Sequence, residues 1–301
     1  MTISDAPLFF PVTPFDADGA LAEDALHAHV LSRLSWDPGA VVVAGGAGEF
    51  HALTQDEAAR VVRVAVTATS GAVPVWTGTG GPVGHAVEVA RAAEEAGCDA
   101  LLLLPPYLVE PAQEGLVAYV EAIAAATLLP IVLYHRGTGA LTADSVRRLL
   151  RLDRIIGIKD GVGDLALVEQ FIGLAQEAGR DMLFFNGLPT AETRQAAYER
   201  LGVHRYSSAV FTMAPEIAGG FRRPRSPRMR ERLLREFFDP LVALRDETPG
   251  HAVSLVKAGL RLRGDAVGSV RPPLVDPSPR QLGRLEELLA HGTTIVKEED
   301  R

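Results

Sequence analysis

The chain has 301 residues, 47% of them hydrophobic, and a formal net charge of -8. That acidic balance leaves no basic field to recruit nucleic acid or an anionic membrane, and one cysteine, Cys98, cannot make an intramolecular disulfide. No signal-like stretch opens the sequence and the longest apolar run, 100–104, is too short to span a bilayer, so a soluble, cytoplasmic protein is expected.

Eight short apolar runs recur along the chain, at 7–14, 40–44, 73–79, 100–106, 130–135, 155–159, 182–188 and 205–211. Each is continuous rather than alternating, as parallel strands covered on both faces require. Helix-like segments lie between them. Segment 55–69 opens after Thr54 with Gln55, Asp56 and Glu57 in its first turn. Segment 84–96 stops at Gly97, which suits a C-cap; Cys98, just beyond, reads as a buried structural thiol. Segments 142–152 and 190–201 open at Thr142 and Thr190. Eight strands, each followed by a helix, predict an α/β fold, a (β/α)8 TIM barrel over residues 1–224. An open doubly wound sheet would want a G-x-G-x-x-G after its first strand, and none is present. The run RRPRSPRMRER (222–232) lacks interleaved aromatics and reads as a solvated linker. Segments 228–246, 250–263 and 279–291 predict a C-terminal helical appendage, a bundle over 225–301 packed on the barrel, whose charged tail VKEEDR frays.

Lys159 closes the sixth run, Ile155-Ile156-Gly157-Ile158-Lys159, and so stands at the C-terminal mouth of a barrel strand, where this architecture places chemistry. Alternation sets Ile155, Gly157 and Lys159 on one face, with the small Gly157 leaving room for the lysine stem. Burial disfavours the ammonium, and lowering its pKa by ~3 units raises the nucleophilic fraction about a thousandfold. The structural alternative is an ion pair with Asp160. Tyr134 ends the neighbouring fifth run, within reach as a proton donor and acceptor. After the second run, Gly45-Gly46-Ala47-Gly48-Glu49-Phe50 offers successive N–H groups as a nest for a carboxylate or phosphate, or else makes a tight turn needing positive φ. The eight histidines are scattered without metal-ligand spacing, so neither metal nor cofactor is expected.

FPVTPF (10–15), GGAGEF (45–50), LLLLPPYL (101–108), Tyr134, GIKDGVGD (157–164), GLPTAE (187–192), YSSAVF (206–211) and VKAGLRL–VRPPL (256–274) fall in register. Together they resemble the dihydrodipicolinate synthase/N-acetylneuraminate lyase superfamily, and within it the 5-dehydro-4-deoxyglucarate dehydratase family, from about residue 7 to 291. That resemblance implies a Schiff base from Lys159 to the keto carbon of a keto-deoxy sugar diacid, with loss of water and carbon dioxide and no cofactor. It implies proton transfer by Tyr134 and a substrate carboxylate held by the N–H groups of Gly46 and Ala47. Thr13, Gly187, Thr190, Ser207 and Ser208 become candidates for the remaining substrate groups, and the chain a homo-oligomer, a tetramer. Two positions depart from the pattern. Ala47 stands where threonine is usual, and His135 where asparagine usually follows the tyrosine. A water or His135 would then complete the proton relay, and Ala47→Thr is expected to raise kcat about threefold to a hundredfold. Two alternatives stay open: a pyruvate-dependent aldolase or condensing enzyme on the same scaffold, and a non-catalytic keto-acid-binding paralogue.

Overall fold

The computed structural model describes residues 3–298. Seven parallel strands lie in chain order across one sheet: β1 (Val41–Val43), β2 (Val75–Thr79), β3 (Ala100–Leu103), β4 (Ile131–His135), β5 (Ile155–Asp160), β6 (Leu183–Asn186) and β7 (Arg205–Tyr206). Trp76 of β2 and Phe185 of β6 are four strands apart, yet their ring centroids lie 5.8 Å apart, so the sheet curls around its own core. The first predicted strand contributes two residues only. Leu8 bridges Ser207 and Phe9 bridges Val41, both parallel, so this short segment is bonded to both edges of the sheet. The last predicted strand, 205–211, is corrected. It ends at Tyr206, because the Ser208 hydroxyl accepts the Phe211 N–H at 2.9 Å and turns the apolar Ala209–Met213 into a helix.

Between the strands, caps fix the helices. Thr54 and Glu57 form a reciprocal capping box on helix Gln55–Thr69, a device worth about 1 kcal/mol. Gly97, at φ +81°, follows helix Val83–Glu95, and Cys98 beyond it is buried, its thiol pushed up to about 12 by burial. Thr142 caps Ala143–Leu149. Thr190 does not cap its helix. It takes the left-handed conformation (φ 52°) ahead of helix Glu192–Glu199, and its hydroxyl accepts from Arg245 at 2.9 Å.

The stretch 222–232 is mostly helical rather than a linker: Ser226 caps helix Pro227–Leu233, which buries Met229 and Leu233. A π-turn over Leu234–Phe238 then presents Phe237 and Phe238 to the core. Helices Asp239–Asp246, His251–Leu262 and Pro279–Glu298 follow. The last carries Val296, Lys297 and Glu298 of the expected loose tail, whose final three residues lie outside the described ones. One continuous apolar core runs from the strands into these helices.

Candidate active site

Tyr134 and Lys159 are register partners in the parallel pair β4 and β5, and His135 and Asp160 are the next. The period of two then sorts them. Lys159 and Tyr134 face one side. Asp160 and His135 face the other, where the Asp160 carboxylate accepts the N–H of Val162 (2.9 Å) and Gly163 (3.1 Å) and bonds the Tyr198 hydroxyl. The His135 Nδ1 accepts the Leu141 N–H at 2.8 Å and its ring meets Phe171 edge-on, so the histidine stands outside any relay at the lysine. Asp160 therefore does not pair with Lys159.

The Lys159 amine lies 3.7 Å from the centre of the Tyr134 ring, and both groups donate to one acceptor, the Gly187 carbonyl, at 3.3 Å (lysine) and 3.0 Å (tyrosine). Arg136 Nη1 donates to the Tyr134 hydroxyl at 2.9 Å. Burial drives the lysine below its ordinary range, against the pull of the Tyr134 oxygen and with help from Arg136. Burial alone would raise the phenol, but the charges of Lys159 and Arg136 outweigh it and bring it down. Each shift serves proton exchange: the amine is nearer its nucleophilic form and the phenol nearer its basic one.

Glycines make this approach possible. A Cβ on Gly187 would lie 2.5 Å from Lys159 Cγ and 2.7 Å from its Nζ, and one on Gly161 would lie 2.8 Å from the Tyr134 ring. Gly157 has a different role from the expected one. Its Cβ would strike the Leu183 carbonyl at 2.6 Å, so it permits strand contact with β6 rather than clearing space for the lysine stem.

The loop after β1 is tight for another reason than glycine φ. Its left-handed residues are Ala44 (φ 47°) and Glu49 (φ 55°). Gly45 and Gly48 serve close approach, to the Phe10 ring and to the Ala44 backbone. The Gly46 and Ala47 N–H groups donate to no acceptor among the described residues. The loop is fastened from behind by Glu49. Its carboxylate pairs with Lys257 of helix His251–Leu262 at 2.7 Å, both side chains fully buried, and accepts the Arg271 N–H at 2.8 Å. Sequence reading passed over this pair.

These pieces surround a cavity of about 250 Å³. It is lined by Gly46, Ala47, Tyr134, Lys159, Gly187, Thr190, Ser207 and Ser208 among the expected residues, and by Phe10, Arg136, Ala252 and Val253 besides. Thr13 is not in its wall. The Thr13 hydroxyl donates to the Gly48 carbonyl at 2.6 Å, so this residue braces the loop from within the core. Gly187 lines the cavity, but its N–H is held by the Asp160 carbonyl (2.6 Å) and its carbonyl by the lysine and tyrosine, so it anchors those two. Ser208 bonds the Glu192 carboxyl, a partner the sequence did not single out. Among the described residues, no group of three or more His, Cys, Asp or Glu is placed to hold a metal ion, and no helix is long and apolar enough to cross a membrane.

A buried lysine at a strand mouth, a tyrosine on the adjacent strand and a loop of open N–H groups meet at one cavity in a curled parallel sheet. The match to the dihydrodipicolinate synthetase family spans residues 6–291, and the chain belongs to that family. A Streptomyces coelicolor protein named "Probable 5-dehydro-4-deoxyglucarate dehydratase 2" is 49% identical over 292 residues, covering 96% of this chain and 90% of that one. A Bradyrhizobium diazoefficiens protein named "Probable 5-dehydro-4-deoxyglucarate dehydratase" is 41% identical, with coverages of 96% and 92%. The crystal structure of dihydrodipicolinate synthase from Bacillus clausii shares the fold, with a TM-score of 0.86 at 23% identity over 96% of this chain and 98% of that one.

Proposed function

We propose that the protein is a Schiff-base-forming hydro-lyase that converts 5-dehydro-4-deoxyglucarate to 2,5-dioxopentanoate, water and carbon dioxide. The observation that carries this reading is Lys159, buried with no carboxylate partner among the described residues and sharing the Gly187 carbonyl with the Tyr134 hydroxyl. The relatives' names support the choice of substrate.

The carboxylate beside the keto group sits on the Gly46 and Ala47 N–H groups, and the neutral Lys159 amine attacks the keto carbon. Tyr134 gives its proton to the carbinolamine hydroxyl, which leaves as water to form the iminium; the phenolate so formed, held by the Arg136 charge, then takes a proton from the neighbouring CH₂ as the iminium draws its electrons. The enamine expels the hydroxyl one carbon further on as water. Loss of the far carboxylate as carbon dioxide and hydrolysis of the imine complete the reaction. Thr190, Ser207 and Ser208 serve the distal hydroxyls and carboxylate.

The fold reading that goes with this is a (β/α)8 barrel over 1–224, with the two-residue segment Leu8–Phe9 as its first strand, and a C-terminal helical bundle over 225–301. The enzyme is cytoplasmic and, by its resemblance to the family, a homotetramer. Carbon dioxide release from 5-dehydro-4-deoxyglucarate, run beside condensation of pyruvate with an aldehyde, tests the function. Release without condensation is expected. Condensation without release would move the enzyme to the aldolase branch.

A further inference from the structure

Ser208 stands in the cavity wall, and its hydroxyl has two partners behind the wall. It accepts the Phe211 N–H at 2.9 Å and bonds the Glu192 carboxyl. Glu192 is 1% exposed, no cation pairs with it among the described residues, and its second carboxyl oxygen has no hydrogen-bond partner there. A buried carboxylate with an unpaired oxygen is costly, whereas a buried neutral carboxyl is not. Burial raises its pKa to about 7, against the pull of the Ser208 hydroxyl and its own backbone N–H at the start of helix Glu192–Glu199. The titratable group beside it on β7 is Tyr206, whose own hydroxyl is buried with no hydrogen-bond partner among the described residues. Arg222, Arg230 and Glu199 act on Tyr206 from the flanking helices.

A serine hydroxyl has one proton and two acceptor positions. When Glu192 is ionised, it can only accept, and the Ser208 proton is spent on it. When Glu192 is protonated, its own O–H donates to Ser208. The Ser208 oxygen then holds two incoming bonds, and its proton is free to point into the cavity. We propose that Glu192 is a positioning residue whose protonation turns the Ser208 hydroxyl into a donor toward the substrate hydroxyl that departs as water. The expulsion then balances: the enamine electron pair forms the new carbon–carbon double bond and the C–O bond breaks toward oxygen. That oxygen takes from Tyr134 the proton removed from the CH₂ group, while Ser208 donates a hydrogen bond to it and keeps its own proton. This inference rests on the dehydratase reading.

The test is a pH–rate profile of carbon dioxide release for the wild type, Glu192→Gln and Ser208→Ala, with the infrared absorbance of the protonated carboxyl followed in parallel. A Gln amide donates to Ser208 as the protonated acid does. In the wild type, kcat/KM should fall about tenfold per pH unit above neutrality, on top of the acid limb owed to Lys159. Glu192→Gln should lose that alkaline limb and keep kcat within about tenfold at the acid end, while Ser208→Ala loses about a hundredfold or more. Trapping of pyruvate by borohydride should stay intact in both. An unchanged alkaline limb in Glu192→Gln, or a loss in Glu192→Gln as deep as in Ser208→Ala, overturns the proposal. If the wild type turns over nothing, the dehydratase reading falls and the infrared titration still judges Glu192. A protonated-carboxyl band that fades near neutrality and is missing from Glu192→Gln supports its half of the proposal; a band never present overturns it.

Discussion

The amine of Lys159 and the hydroxyl of Tyr134 hang from the same backbone carbonyl, that of Gly187, just past the end of the strand next to the lysine. Register makes this arrangement reproducible, because Tyr134 and Lys159 are directly paired across β4 and β5. Since burial lowers the amine, the acid limb of kcat/KM should have its midpoint below the ordinary lysine value, activity rising with pH as the amine loses its proton.

Gly187→Ala should disable the site without unfolding the protein. The new methyl would lie 2.5 Å from Lys159 Cγ and 2.8 Å from the Asp160 carbonyl oxygen, so the lysine stem must move and the strand backbone shift with it. Displacement of a reacting atom by about 1 Å costs on the order of a hundredfold in rate. The rate of borohydride trapping with pyruvate reads the effect directly. A wild-type rate would show that the lysine's position does not depend on Gly187.

The relay expected to miss a threonine at Ala47 has another member instead. Arg136 donates to the Tyr134 hydroxyl at 2.9 Å, filling an acceptor position on the tyrosine. Ala47→Thr should therefore change kcat by less than about threefold, a smaller gain than the sequence led us to expect, while Arg136→Leu should lower it about a hundredfold. Steady-state kinetics of both variants check this. A gain of about tenfold or more in Ala47→Thr would restore the threonine-type relay.

Lys257→Met should destabilise the protein by about 3–5 kcal/mol, because it strands the fully buried Glu49 carboxylate. Pairing it with Glu49→Gln should recover part of that loss, and denaturant unfolding of the three variants measures it. Since Glu49 anchors the loop bearing Gly46 and Ala47, Lys257→Met should also raise KM. A loss on the order of 1 kcal/mol or less would mean the pair is worth no more than a surface one.

The parts of the site legible in the sequence were those carried by short-range pattern. Lys159 and Tyr134 announce themselves by residue type at the end of an apolar run, and Thr54 with Glu57 by capping spacing. Strand length near the mouth was not legible: Ser208 looks like part of an apolar strand until its hydroxyl is seen capping a helix. The loop's strained residues were misplaced too, since Ala44 and Glu49 take the left-handed conformation while the adjacent glycines serve close packing. Glu49 with Lys257, Thr190 with Arg245 and Arg271 with Glu49 join distant segments, and no local spacing signals such pairs. Glu192 closes the GLPTAE run with nothing local to mark it, and its meaning comes from burial.

Borohydride reduction in the presence of 5-dehydro-4-deoxyglucarate, followed by mass mapping of the peptides, bears most directly on the chemistry. The added mass should fall on the peptide containing Lys159, and Lys159→Arg should abolish both label and turnover while keeping the charge. Label on a peptide without Lys159, or turnover with no label, would contradict the Schiff-base mechanism.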